Sequence, residues 1–193
     1  MIWRLERGKT LSQLPGPPKF VQYAQLTNIK KFGKIIIEKE RKELIKMTIW
    51  FDMDGTIADL YGVENWLPML IASDTTPYAT AKPLVRLSAL ARVLNRLQSE
   101  GYRIGVISWL SKSGTPAYNA AVTATKYAWL KRHLPSVIFD EINIVPYGVN
   151  KNLFNDGDDI LFDDEQRNRE NWTGTAYDVD RILETLKTLP ALR

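Results

Sequence analysis

The sequence predicts an α/β fold built on a parallel sheet, and three observations carry that prediction. Short apolar runs of strand length alternate with longer stretches whose apolar residues recur at three- and four-residue steps. The first run, Thr48-Ile49-Trp50-Phe51, ends abruptly in Asp52-Met53-Asp54-Gly55-Thr56. The chain has 193 residues, enough for one such domain with a real core.

Charge is unevenly spread along the chain. Residues 1–46 hold eleven Lys/Arg against four Glu, a balance of +7, while 47–193 hold fifteen against eighteen acids, a balance of −3; together they give the net +4. The acidic body offers no electrostatic case for nucleic acid as a partner. The chain has no cysteine, which excludes a disulfide scaffold or a thiolate metal site and fits a reducing interior. No apolar run approaches the ~20 residues of a membrane span and no signal-peptide pattern appears. A cytoplasmic protein with no membrane partner is expected.

Residues 1–46 contain Pro15-Gly16-Pro17-Pro18, scattered lysines and one strand-like piece, Ile35-Ile36-Ile37. They read as a basic, disordered leader ahead of a domain over 47–193. Lys42-Glu43 fits a bacterial ribosome-binding sequence three codons before Met47, so the leader is read as translated upstream sequence. The competing reading is a flexible arm for an acidic partner.

Thr48 to Phe51 reads as a buried strand delivering Asp52 and Asp54 to its carboxyl end, where ligands bind in open α/β sheets. Two close carboxylates repel, so such a site traps a proton or holds a cation, and oxygen-only ligation favours a hard metal such as Mg²⁺. The plainer alternative is a solvated Asp-Gly turn.

Further along, Pro83 to Glu100 reads as a helix with Leu84, Leu87, Leu90, Ala91, Leu94 and Leu97 on one stripe, Pro83 in its first turn and Gly101 at its end. Tyr102 to Ser108 is the second strand. Thr115 caps a helix running to about Leu134, with Val122, Ala128, Trp129 and Leu130 facing inward. His133, the only histidine, sits at a helix end and has no expected catalytic role. Ile142 to Val145 is a third strand, leading through Pro146–Gly148 to Lys151. Asp156-Gly157-Asp158-Asp159 reads as a solvated turn, and Ile160 to Phe162 as the strand carrying Asp163 and Asp164. Gln166 to Trp172 wraps the site, Thr175 to Tyr177 is a short edge strand, and Asp178 caps a last helix to about Leu189.

With these residues in order, the chain resembles the haloacid dehalogenase superfamily of phosphohydrolases. The resemblance rests on Asp52-Met53-Asp54-Gly55-Thr56, on Ile104-Gly105-Val106-Ile107-Ser108, on Lys151 and on Ile160-Leu161-Phe162-Asp163-Asp164. It implies a Rossmann-like parallel sheet with helices on both faces and a small helical cap inserted after the first strand, at about 58–82. It also implies Mg²⁺-dependent hydrolysis of a small-molecule phosphomonoester through an aspartyl-phosphate. Asp52 is then the nucleophile and Asp54 the acid and base. Ser108 and Lys151 hold phosphoryl oxygens, with Lys126 the rival for the lysine role. The metal set is Asp52, the Asp54 backbone carbonyl and Asp163, with Asp164 orienting metal-bound water or the lysine. Gly55, Thr56, Tyr61, Trp66 and Trp109 are the expected substrate-binding residues.

A closer resemblance, through Lys126-Tyr127-Ala128-Trp129-Leu130 and the acidic pair, is to 5′(3′)-deoxyribonucleotidases and related phage phosphatases. It implies a nucleotide substrate, although the cap is much shorter than theirs. The alternatives are a sugar-phosphate phosphatase, a nucleic-acid end phosphatase, and a non-catalytic binding protein on the same scaffold.

Overall fold

The computed structural model describes residues 47–192; the leader expected over 1–46 lies outside the described residues. In order come β1 (Thr48–Phe51), β2 (Ala58–Asp59), α1 (Trp66–Ile71), α2 (Thr76–Thr80) and β3 (Lys82–Pro83). They are followed by α3 (Leu87–Ser99), β4 (Arg103–Trp109), α4 (Pro116–His133) and β5 (Glu141–Val145). A 3₁₀ turn (Lys151–Phe154), β6 (Ile160–Phe162), α5 (Gln166–Asn171), β7 (Thr175–Tyr177), a second 3₁₀ turn (Val179–Arg181) and α6 (Ile182–Thr188) complete the chain.

Five strands form one parallel sheet in the order β5-β4-β1-β6-β7. This is the α/β architecture that the alternating pattern predicts. Strand order reverses beside β1: the chain first builds outward through β4 and β5, then returns to place β6 on the other side. The carboxyl ends of β1, β4 and β6 therefore border a crevice at a topological switch point.

Side-chain alternation along β1 divides the core between two faces. Ile49 and Phe51 pack with Leu90, Leu94 and Leu97 of α3, Trp129 of α4 and Leu186 of α6. Trp50 points the other way, toward Ile107, Leu161, Trp172 and Phe154. Trp50 is register partner to Gly105, and a Cβ there would collide with the indole ring, so glycine is what lets so large a residue sit in the middle of the sheet. On α3, Leu90, Val93, Leu94 and Leu97 are all buried, each contributing about 1.5–3 kcal/mol of transfer free energy.

Two helix expectations need correction. The helix expected from Pro83 starts at Leu87, because Lys82–Pro83 pairs antiparallel with Ala58–Asp59 as the stem of the inserted segment. Ala128, expected inward, is exposed, and Lys126 takes a buried place on α4 instead. Thr115 does cap α4, its side chain accepting from Tyr118 N, and Gly101 ends α3 with φ +108°.

The turn at 156–159 also differs from expectation. Asp159 is buried: Oδ1 accepts from Thr48 N at 2.7 Å, and Oδ2 from Trp50 Nε1 at 2.9 Å and Asp156 N at 3.2 Å. It ties the loop before β6 to the amino end of β1. Among the described residues, no helix is long and apolar enough to cross a membrane.

Candidate active site

The loop after β1 is wound tightly around one carbonyl. Met53 O accepts from Thr56 N, Ile57 N and Ala58 N at 2.9–3.1 Å, while Asp52 N extends the ladder to Phe162 O at 2.9 Å. Gly55 makes the turn possible. Its φ is +79°, and a Cβ would come within 2.5 Å of both Asp164 Oδ2 and the Tyr61 ring. The chain thus leaves the sheet through a tight turn that carries both Asp52 and Asp54.

Asp52, Asp163 and Asp164 converge, offering carboxylate oxygens that lie within 4.8 Å of one another. Lys151 Nζ is 2.7 Å from Asp163 Oδ2 and 3.0 Å from Asp52 Oδ1. The second contact is an ion pair without hydrogen-bond geometry, so Asp52 Oδ1 is buried with no hydrogen-bond donor. Asn168 Nδ2 donates to both oxygens of Asp163, at 3.1 and 3.2 Å, and Arg169 Nη1 donates to the carbonyls of Asp163 and Asp164 at 2.7 Å. Thr56 Oγ1 exchanges hydrogen bonds with Asp164, donating to Oδ1 at 3.2 Å and accepting from its N at 3.1 Å.

A second ion pair stands beside the first. Lys126 Nζ lies 2.6 Å from Asp54 Oδ2, 2.9 Å from Ser108 Oγ and 2.7 Å from Trp109 O. Four carboxylates and two ammonium groups leave the site two positive charges short, and the protonation behaviour reflects this. Burial, then Asp52 and Asp163, push Asp164 up to about 7. Burial and Asp52 push Asp163 up to about 6 against the pull of Lys151. Burial raises Asp54 as well, against Lys126. Burial pulls the Lys151 ammonium down, but Asp52 and Asp163 outweigh it and hold it above its ordinary value. An oxygen-only donor set and a shortfall of two charges fit a divalent hard cation such as Mg²⁺.

No family model matches the chain, and no curated protein sequence matches it. Among solved structures, D,D-heptose 1,7-bisphosphate phosphatase from Burkholderia thailandensis aligns with a TM-score of 0.45 at 14% identity, over 74% of this chain and 97% of that one. The enzyme of the same name from B. bronchiseptica, complexed with magnesium and phosphate, aligns with a TM-score of 0.43 at 15% identity, over 75% of this chain and 88% of that one.

Asp52 and Asp54 line a pocket of about 580 Å³. Tyr61, Trp66, Tyr78, Trp109, Tyr118 and Tyr147 also line it, and Lys112 is the one cation among its lining residues. Trp109 is fixed by donating Nε1 to Val149 O at 2.9 Å, and its ring lies 5.1 Å from that of Tyr147. Tyr61 and Trp66 meet edge to face at 5.1 Å. Tyr61, Trp66 and Trp109, the aromatic residues expected to touch substrate, thus line one pocket with Asp52 and Asp54.

Other expected site residues stand differently. Gly55 and Thr56, expected to touch substrate, are absent from the pocket lining; Thr56 is fully buried and serves Asp164, and Gly55 makes room for it. The Asp54 carboxylate stands apart from the acidic trio, held by Lys126. Asp164, expected to act behind the metal ligands, belongs to the trio itself. His133 lies tilted against Trp129, with ring centroids 4.4 Å apart, at the end of α4.

The sequence alone assigns no role to Asn168 or Arg169, and it treats Lys126 only as the rival of Lys151, whereas the two lysines face different carboxylates, Asp54 for Lys126 and Asp52 with Asp163 for Lys151. A signal for Lys126 was available: a lysine spaced four residues from Val122 and three from Trp129 lies on the apolar stripe of its helix.

Proposed function

We propose that the protein is a Mg²⁺-dependent phosphomonoester hydrolase that acts through an aspartyl-phosphate on Asp52, with (deoxy)nucleoside monophosphates as substrates. The observation that carries this reading is the placement of Asp52. It lies at the edge of an aromatic pocket, within ion-pair distance of Lys151, and beside two further carboxylates.

The chain's residues divide the work as the reaction requires. An Asp52 carboxylate oxygen attacks phosphorus in line as the bond to the leaving oxygen breaks, splitting one hard displacement into two easier ones. Asp54, in its acid form, transfers a proton to the leaving oxygen. Asp54 then takes a proton from water, which attacks the phosphorus of the aspartyl-phosphate, releasing phosphate and regenerating Asp52. An ammonium group has three donors; Lys151 hydrogen-bonds Asp163 and contacts Asp52, leaving capacity for a phosphoryl oxygen. Asp52, Asp163 and Asp164 would hold Mg²⁺, which supplies positive charge where anionic nucleophile and anionic ester meet. Asn168 and Arg169 keep Asp163 and its carbonyl in place.

The nucleotide preference rests on six aromatic lining residues, which suit a flat base better than a polyhydroxylated sugar. The helices α1 and α2 form a small cap in this reading, with little wall to grip a whole nucleoside. Discrimination among the four deoxynucleotides is therefore expected to stay below the ~10- to 200-fold that one fitted apolar contact supplies.

The test is turnover of p-nitrophenyl phosphate with Mg²⁺ and its loss on chelation, followed by kcat/KM for four deoxynucleotides, a sugar phosphate and a phosphorylated oligonucleotide. No Mg²⁺-dependent turnover of any ester would leave a non-catalytic scaffold. Preference for the sugar phosphate or the oligonucleotide by more than about tenfold would end the nucleotide reading but not the aspartyl-phosphate mechanism.

A further inference from the structure

The two buried lysines are not equivalent. Lys126 and Lys151 are each 1% exposed and each face a catalytic carboxylate, yet their donors are used differently. Lys126 Nζ reaches three acceptors, Asp54 Oδ2, Ser108 Oγ and Trp109 O, at 2.6–2.9 Å. An ammonium group has three N–H donors and no acceptor, so the protein takes all three. Lys126 has nothing left for a phosphoryl oxygen unless it gives up one of these bonds.

Its surroundings hold it there. Lys126 Nζ sits 4.9 Å from the centre of the Tyr78 ring of α2, a cation–π contact. One helical turn on, Trp129 Nε1 donates to Ala81 O at 2.8 Å, and Arg132 donates to Ala79 O. One face of α4 therefore clamps the inserted segment and the Asp54 carboxylate together. Asp54 has no other side-chain partner among the described residues to fix its direction.

We propose that Lys126 is a positioning residue: it fixes the Asp54 carboxylate for proton transfer and does not bind the phosphoryl group. The inference rests on the phosphatase reading above, and it makes a claim that reading does not. Losing Lys126 should damage the step that needs a proton on the leaving group far more than the step that needs charge on the phosphoryl oxygens.

The experiment compares Lys126→Met with the unaltered chain on two esters. p-Nitrophenolate leaves as a stabilised anion and needs little proton donation; the 5′-oxygen of a nucleoside monophosphate needs it fully. Positioned acid–base groups contribute about 10²- to 10⁴-fold. In Lys126→Met, kcat/KM for the nucleotide should therefore fall at least about tenfold further than kcat/KM for p-nitrophenyl phosphate. Water activation by Asp54 should also slow, so that phosphoenzyme accumulates and kcat and KM for p-nitrophenyl phosphate fall together. In an Asp54→Asn background, Lys126→Met should change the nucleotide rate by less than about threefold, because the two residues act as a unit.

Equal losses on both esters, or losses that multiply with Asp54→Asn, would overturn the proposal and make Lys126 a phosphoryl ligand. Should Lys126→Met fail to fold, Lys126→Arg keeps the charge but cannot reproduce the three contacts of an ammonium. It should show the same divergence between esters, and an unaltered ratio overturns the proposal. No turnover of either ester by the unaltered chain would overturn the phosphatase reading and this inference with it.

Discussion

Replacing Asp159 with alanine should cost about 4 kcal/mol of folding stability. Its carboxylate is buried and accepts from Thr48 N, Trp50 Nε1 and Asp156 N. Asp156 is exposed, so its N–H recovers a bond to water and contributes little. The Thr48 and Trp50 groups lie in β1, at 3% and 2% exposure, and lose their acceptor. Each buried unsatisfied donor costs ~1–3 kcal/mol, giving ~2–6 for the pair. At ~2–4 °C per kcal/mol for a domain of this size, Tm should fall by roughly 8–16 °C. Asp159→Asn keeps one acceptor oxygen and should lose about half as much. Urea denaturation with an unchanged m-value, alongside thermal unfolding, reads both variants. A loss below ~1 kcal/mol for Asp159→Ala would mean that the turn is solvated, as its sequence suggests, and that the buried staple does not exist.

Four further outcomes can be measured. Lys151→Ala should lower kcat/KM for p-nitrophenyl phosphate by about 10²- to 10³-fold, as removal of a transition-state donor does, and by more than Lys126→Ala; the reverse order would exchange their roles. The raised Asp163 and Asp164, at about 6 and about 7, bind protons in the folded state that the unfolded chain has already released. Stability of the metal-free protein should therefore be greatest near pH 4 for these two groups and decline as pH rises through 6 and 7. Mg²⁺ binds the deprotonated carboxylates, so its stabilising shift in Tm should grow from pH 5 to pH 8, and a shift independent of pH would refute the assignment. A chain beginning at Met47 should match the full chain in Tm and turnover, because every residue used above lies beyond that point; a marked loss in either would show that residues 1–46 contribute.

Much of the fold was legible because strands and helices announce themselves by period. Ile49, Phe51, Ile104 and Val106 alternate into one core, and Leu90, Leu94 and Leu97 recur at helical spacing. The convergence of Asp52, Asp163 and Asp164 follows from the same logic, since parallel neighbouring strands bring their carboxyl ends to one edge. What escaped depended on partners far away in sequence. Asp159 looks solvated in Asp156-Gly157-Asp158-Asp159 because its donors sit more than 100 residues earlier, at Thr48 and Trp50. Pro83 suits a helix start by local chemistry, but pairing with Ala58 takes it into the stem. Thr56 has the hydroxyl of a phosphate ligand, yet its partner is Asp164, 108 residues away. Lys126 stands out in the sequence only as a rival to Lys151, because its three partners, Asp54, Ser108 and Trp109, lie 72, 18 and 17 residues away and no local pattern announces them.

The central claim is that Asp52 is phosphorylated during turnover. The most direct measurement is an acid quench of the Asp54→Asn chain reacting with p-nitrophenyl phosphate and Mg²⁺, followed by borohydride reduction and peptide mass analysis. Slowed dephosphorylation in that variant should trap the acyl-phosphate, and reduction should convert Asp52 alone to homoserine, with no signal in Asp52→Asn. Turnover by the unaltered chain with no trapped adduct, or an adduct on any other residue, would contradict the account.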